Sequence, residues 1–140
     1  MTGIVHSFAI DQKVKRVRTK QQTGSVGERL TEYYLTKSGY RILERNWRIR
    51  GGEIDLIAEK DGIIAFVEVK TRTMADPEGG AYAVTPAKQR LCIRAAREYL
   101  LRTGNTLQPR FDVAEVIVNG GRAVRFNYYD NAFYGDDGAI

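Results

Sequence analysis

The sequence predicts a single-domain α/β protein with a mixed β-sheet flanked by helices. Its 140 residues are 43% hydrophobic and 28% charged, which is the size and composition of one globular domain. Apolar residues recur with helical or strand periods in the order helix, three strands, helix, two strands. Three consecutive strands favour an antiparallel meander, and a helical crossover allows the fourth strand to pair parallel with an earlier one.

The first predicted helix runs from Ser25 to Ser38. Ser25 and Glu28 have the spacing of a capping box, apolar residues follow at helical spacing, and Gly39 fits a C-terminal stop. Glu28 therefore has an ordinary interpretation as the partner of Ser25 in this cap.

Three predicted strands follow at residues 40–50, 53–59 and 63–72. A Gly-Gly pair separates the first two, and a Lys-Asp-Gly turn at 60–62 joins the second and third as a hairpin. The third strand is rich in β-branched and aromatic residues, which is typical of a central position in a sheet.

The second predicted helix begins at Thr85-Pro86, because threonine is a good N-cap and proline suits the first turn. Two further strands, at 111–118 and 123–129, complete the pattern and are joined by an Asn-Gly hairpin turn.

The net charge of +5 is unevenly distributed. We expect residues 1–23 to form a flexible basic tail, residues 24–129 the folded domain, and residues 130–140 an acidic tail. The basic tail either binds nucleic-acid phosphates without sequence specificity or simply aids solubility. Its basic residues are Lys13, Lys15, Arg16, Arg18 and Lys20.

The composition excludes several kinds of chemistry. One cysteine allows no intrachain disulfide and no cysteine-rich zinc site, and one histidine leaves little material for a Ser-His-Asp triad or a multi-histidine metal site. No apolar run approaches the ~18 residues of a membrane-spanning helix, and no segment reads as a secretory signal. We therefore expect a cytoplasmic protein, with no membrane partner, that uses carboxylates and lysines.

The second and third strands carry the candidate site. Side chains alternate across a strand, so Glu68 and Lys70 point to one face, and the hairpin can bring Asp55 close to Glu68. Two close carboxylates repel unless one is protonated or a divalent cation lies between them, and Mg²⁺ prefers such oxygen ligands. The alternative is that Glu68 and Lys70 lie on the exposed face of an edge strand and Asp55 is solvated.

Four segments resemble the bacterial YraN family: 52–57 (GEIDLI), 66–72 (FVEVKTR), 84–88 (VTPAK) and 110–113 (RFDV). This family resembles Holliday-junction resolvases and the PD-(D/E)XK nuclease superfamily. The resemblance implies a restriction-endonuclease-like αβββαβ core in residues 24–129. It places Asp55, Glu68 and Lys70 at the catalytic positions, with Asp55, Glu68 and Glu28 as metal ligands. Ile54 stands where the superfamily's name motif has proline.

Together, residues and resemblance predict an endonuclease that uses Mg²⁺ or Mn²⁺ to hydrolyse phosphodiester bonds in branched or structured DNA. Arg72 and Lys88, with the basic tail, would contact phosphates, although the ordinary interpretation of Arg72 is a solvated surface residue. We expect DNA rather than RNA as the partner. A homodimer would present two sites to two strands, but the sequence indicates no dimer face. The alternative function is a non-catalytic module of the same fold that binds nucleic acid or recruits a partner.

Overall fold

The structure is a computed structural model that describes residues 5–10, 20–74 and 84–134. Within these residues lie six strands and two helices. In chain order they are β1 (Val5–Ala9), α1 (Lys20–Lys37), β2 (Arg41–Ile49), β3 (Gly52–Lys60), β4 (Ile63–Thr73), α2 (Pro86–Thr103), β5 (Gln108–Asn119) and β6 (Arg122–Phe133).

The six strands form one mixed sheet in the order β1-β6-β5-β4-β3-β2. Strands β2, β3 and β4 are the predicted antiparallel meander, and β5 pairs parallel with β4 after the α2 crossover. The hairpin β5–β6 is antiparallel. The predicted fold class is thus confirmed, because the sheet and its helices are consistent with a restriction-endonuclease-like core.

Strand β1 corrects the prediction that residues 1–23 form only a tail. It pairs antiparallel with the edge of β6, from Val5↔Tyr129 to Ala9↔Arg125. All five of its residues are exposed, so there is no buried and exposed alternation from which a strand could be predicted. Its partner lies more than one hundred residues away in the sequence, beyond the reach of any local pattern.

The ends of two other elements also differ from the prediction. Helix α1 begins at Lys20, so Ser25 lies inside the helix and is not its N-cap. The expected capping box of Ser25 and Glu28 is therefore wrong as a helix start. Strand β6 continues to Phe133, past the predicted end of the domain at residue 129.

The two helices pack on opposite faces of the sheet, and each approaches through a glycine. A Cβ on Gly27 of α1 would lie 3.1 Å from Val69 Cγ1, and one on Gly52 of β3 would lie 3.1 Å from the backbone oxygen of Leu91 in α2. These close contacts hold α1 against β4 and α2 against β3. The α2-side core includes Ile54, Phe66, Cys92, Ala95, Tyr99 and Phe111, and the α1-side core includes Val26, Leu35, Leu56, Val67 and Val116.

The predicted start of α2 is confirmed. Thr85 is the N-cap, its hydroxyl accepts a hydrogen bond from the backbone N–H of Lys88 at 3.2 Å, and Pro86 occupies the first position. This cap fixes the first turn of α2, and Lys88 with it, over the sheet. In the described parts of the chain, neither helix combines the length and apolar character needed to cross a membrane.

Candidate active site

The candidate site lies where β3 and β4 separate. The two strands pair from Lys60↔Ile63 to Leu56↔Val67, and the register ends there. The next residues are Asp55 and Glu68. Beyond the register, Asp55 Oδ2 accepts a hydrogen bond from the backbone N–H of Val69 at 2.8 Å. The Asp55 carboxylate therefore bridges the gap between the strands and lies beside the residue that follows Glu68.

Glu68 is a nearly completely buried carboxylate, with 2% exposure, on the α2 side of the sheet. Burial is the main cause that raises its pKa from 4.5 to about 7, and the negative charge of Asp55 raises it further. Its Oε1 atom has no hydrogen-bond partner among the described residues. A buried carboxylate oxygen without a protein hydrogen-bond donor is costly.

The pKa of Asp55 is also raised by its surroundings. Burial raises its pKa, the hydrogen bond from the Val69 N–H opposes this, and the negative charges of Glu28 and Glu53 raise it again. Asp55 and Glu68 each raise the energy of the other's charged form, as two close carboxylates do. The structure thus brings together two residues that the hairpin geometry predicted would converge.

Lys88 reaches this site from the first turn of α2. Its Nζ lies 3.8 Å from Glu68 Oε2, and its positive charge lowers the pKa of both Glu68 and Asp55. At this distance the contact is an ion pair without a hydrogen bond of normal length. The sequence predicts that Lys88 contacts phosphates, and the structure places its ammonium beside a site carboxylate.

Lys70 and Cys92 complete the surroundings of Glu68. Lys70 is half-buried and its charge lowers the pKa of Glu68, while the Cys92 thiol lowers it as a hydrogen-bond donor. Burial and the charge of Glu68 raise the pKa of the Cys92 thiol. Cys92 is a neighbour of the site that the sequence patterns did not predict. The sequence does carry a pattern that links Cys92 to Lys88, because the two are spaced i, i+4 and so share one face of α2.

Glu28 lies in α1, on the other side of the sheet, and its negative charge raises the pKa of Asp55. Within the described residues, no three His, Cys, Asp or Glu side chains are grouped closely enough to hold a metal ion. Glu28 therefore does not join Asp55 and Glu68 in one ligand set here. Its assistance in metal binding stays a prediction.

The remaining predicted phosphate contacts are placed as follows. Arg72 Nε lies 2.9 Å from Glu115 Oε2, so its guanidinium is ion-paired to a fully buried carboxylate, and it is not a freely solvated side chain. Lys20 begins α1. The other basic tail residues, Lys13, Lys15, Arg16 and Arg18, lie outside the described residues.

A divalent cation fits the residues that are present. Asp55 and Glu68 offer carboxylate oxygens, which Mg²⁺ and Mn²⁺ accept, and Mg²⁺ commonly takes only one or two protein carboxylates. A cation would supply the missing partner of Glu68 Oε1 and remove the repulsion between the carboxylates. Lys88 gives Glu68 only partial compensation at 3.8 Å.

Comparison with known proteins places the site within a shared region. The sequence model of the uncharacterised protein family UPF0102 matches residues 27–116, which include Asp55, Glu68 and Lys88 but not the basic residues 13–20. A UPF0102 protein of Symbiobacterium thermophilum is 46% identical over 115 residues, covering 81% of this chain and 98% of that protein. A UPF0102 protein of Alkaliphilus metalliredigens is 47% identical over 111 residues, covering 79% of this chain and 96% of that protein.

Proposed function

This chain belongs to the UPF0102 (YraN) protein family, and from that premise we propose that it is a metal-dependent endonuclease that hydrolyses phosphodiester bonds in branched or structured DNA. The observation that carries the proposal is the pair of carboxylates where β3 and β4 separate, the buried Glu68 and the half-buried Asp55. One oxygen of this pair, Glu68 Oε1, has no hydrogen-bond partner among the described residues.

Two close carboxylates with an unmatched oxygen cost free energy. This cost favours a ligand-binding role for the pair over a purely structural one. A structural carboxylate at this depth is expected to have its oxygens satisfied by donors. Glu68 instead has a pKa raised to about 7 and faces a second carboxylate, Asp55. Perturbed carboxylates of this kind are typical of functional sites.

Asp55 and Glu68 would hold Mg²⁺ or Mn²⁺. When bound, the cation would polarise the scissile phosphate and make hydroxide accessible near neutral pH. Lys70 lies on the same strand face as Glu68, so its ammonium would donate hydrogen bonds to the phosphate oxygens as negative charge develops. Lys88 approaches the same carboxylate from α2 and adds a second positive charge beside the reacting phosphate.

The test compares cleavage of a labelled four-way junction and a linear duplex in Mg²⁺ or Mn²⁺. Asp55→Asn, Glu68→Gln and Lys70→Met should each lower the cleavage rate by ~10²-fold or more, the size of losing one group that stabilises the transition state. Glu59→Gln is the matched control, since Glu59 lies on β3 but pairs with Arg41 at the far end of the strand. Calorimetric titration should show Mg²⁺ or Mn²⁺ binding that Glu68→Gln weakens and Glu59→Gln does not.

The opposite outcome favours a non-catalytic module. The protein binds or recruits without cutting if wild type takes up no divalent metal and cleaves no DNA, while DNA binding survives in Glu68→Gln. Faster cleavage of the junction than of the duplex would support the structured substrate. A matched RNA duplex gives the comparison between DNA and RNA.

A further inference from the structure

A cavity lies on the sheet beyond the carboxylate pair, where the end of β4 meets β5 and β6. It has a volume of about 390 Å³, within the roughly 300–1,000 Å³ that is usual for small-ligand sites. Met74 closes one side, since its backbone N–H donates to the Val118 oxygen at 3.0 Å. The lining residues are Arg72, Met74, Ile117, Asn119, Val124 and Arg125.

Two arginines line this cavity, and both are held by other side chains. The Arg72 guanidinium donates to Glu115, whose other oxygen accepts from Asn127 Nδ2 at 2.8 Å. Arg125 Nη1 donates to the Ser7 hydroxyl at 2.8 Å, which ties it to strand β1. Glu115 balances one of the two positive charges, so the cavity keeps a net positive charge among these residues.

The other lining residues are apolar or carry an amide, and such groups suit the sugar and base of a nucleotide. Met74, Ile117 and Val124 give an apolar surface for a sugar and base, and Asn119 offers an amide at the same wall. Planar guanidinium groups match phosphate oxygens in charge and geometry. Phosphate, sugar and base are all components of one nucleotide.

The cavity is also at a suitable distance from the candidate active site. Arg72 is four residues beyond Glu68 on the same strand, so the two lie about 13 Å apart along β4 at ~3.3 Å per residue. Stacked nucleotides advance by ~3.4 Å along a strand. A strand whose phosphate meets Asp55 and Glu68 would therefore reach the cavity within about four nucleotides.

We propose that this cavity binds one nucleotide of the substrate strand, with its phosphate near Arg72 and Arg125 and its sugar and base against Met74, Ile117 and Val124. The inference rests on the proposed function, because it assumes a nucleic-acid strand at the carboxylate pair. It adds a subsite that would hold the strand beside the cut and so set its direction across the sheet.

The experiment measures binding of a fluorescent single-stranded thymidine oligonucleotide over a range of salt concentrations. EDTA is present, so the readout does not depend on cleavage. Arg125→Gln removes one phosphate contact, so the slope of log K against log salt should fall by about 0.7, the value for a single strand, which is roughly 5-fold in affinity near 0.1 M salt. The matched control is Arg41→Gln, which removes an exposed arginine from the opposite edge of the sheet and should leave the slope unchanged.

A second variant tests the cavity itself. Val124→Trp fills it with a bulky side chain and should weaken binding without changing the salt slope, whereas Leu101→Trp, at a residue with 79% exposure on α2, should change neither. Thymidine monophosphate alone should bind far more weakly than the oligonucleotide, because it lacks the contacts along the rest of the strand. Comparable binding of the free mononucleotide would assign the cavity to a soluble nucleotide and overturn the proposal.

Three other results would overturn it: equal effects of Arg125→Gln and Arg41→Gln, no effect of Val124→Trp, or no oligonucleotide binding by wild type at low salt. None of these bears on metal uptake or junction cleavage. Failure of this subsite is therefore distinguishable from failure of the proposed nuclease.

Discussion

Two buried carboxylates on neighbouring strands, Asp112 and Glu68, have opposite environments. Asp112 on β5 accepts from both ends of the Arg110 guanidinium at 2.8 Å, from the Tyr128 hydroxyl, and from the Asn131 N–H at 2.9 Å. Its negative charge is thus matched by a part-buried cation and its oxygens by four donors. Arg110 and Asp112 thus form an ion pair within one strand.

Glu68 on β4 is buried almost as deeply but is compensated far less. One oxygen has no hydrogen-bond partner among the described residues, and the nearest ion-pair partner, Lys88, is 3.8 Å from the other. Burial alone therefore does not distinguish these two carboxylates. The number of matched donors does, because a deficit leaves the group able to gain free energy from a proton, a cation or a substrate.

The largest effect on stability is expected at Asp112, the carboxylate whose charge and oxygens are matched. Asp112→Ala should lower the free energy of unfolding by about 3–5 kcal/mol, since it leaves the part-buried Arg110 with no carboxylate partner. Chemical denaturation followed by circular dichroism measures this. Tyr128→Phe removes one of the four donors and should cost about 1–2 kcal/mol, which provides a graded control.

A loss below about 1 kcal/mol in Asp112→Ala would contradict the view that this network stabilises the fold. Equal losses in Asp112→Ala and Tyr128→Phe would show that the Tyr128 hydrogen bond, and not the ion pair, carries the energy.

Glu68 should make stability fall as pH rises. Below pH 4.5 it is protonated in both folded and unfolded states. Between 4.5 and about 7 the unfolded chain releases this proton while the folded chain keeps it, so folding becomes less favourable. Above that pH the loss is complete, at ~3 kcal/mol by the size of the pKa change.

The measurement is the difference in unfolding free energy between wild type and Glu68→Gln from pH 4 to 8, because titrating groups that are not coupled to Glu68 cancel in this difference. The difference should shift by ~3 kcal/mol in favour of the variant as pH rises, and Mg²⁺ should reduce the shift. A difference that stays constant with pH would mean that Glu68 is compensated as well as Asp112.

The ammonium of Lys88 partly compensates the negative charge of Glu68. Removing it should therefore increase the difference between Glu68 and the well-compensated Asp112. In Lys88→Gln the pKa of Glu68 should rise further, and the pH range of the stability change should move upward. The energetic effect should stay below about 1 kcal/mol, because a third of the Lys88 side chain is exposed and solvent screens its charge. Arg90→Gln, an exposed neighbour on α2, should leave the pH range unchanged.

Local patterns in the sequence were sufficient for the meander, the crossover and the convergence of Asp55 with Glu68. Strand alternation and a hairpin turn fix which side chains share a face, and these are short-range properties. They also predicted the cap at Thr85, because its hydroxyl bonds three residues away.

The remaining features depend on contacts between distant segments. Strand β1 forms only because β6 offers an open edge to it. The i, i+4 spacing of Lys88 and Cys92 places them on one face of α2, but only the packing of α2 on the sheet turns that face toward Glu68. The missing donor of Glu68 is a property of the whole surrounding shell, so no local motif could predict it.

Cys92 offers the smallest and most discriminating change around Glu68. Its thiol is a weak donor that lowers the pKa of Glu68. Cys92→Ala removes the donor, and Cys92→Ser replaces it with a hydroxyl, a stronger one. The pH range over which Glu68 affects stability should therefore move upward in the alanine variant and downward in the serine variant. The accompanying change in the pH-dependent part of the unfolding free energy should be no more than about 1 kcal/mol. Denaturation across pH measures both, and any loss of packing common to the two does not depend on pH. Movement in the same direction would show that volume at this position, and not hydrogen bonding, sets the charge state of Glu68.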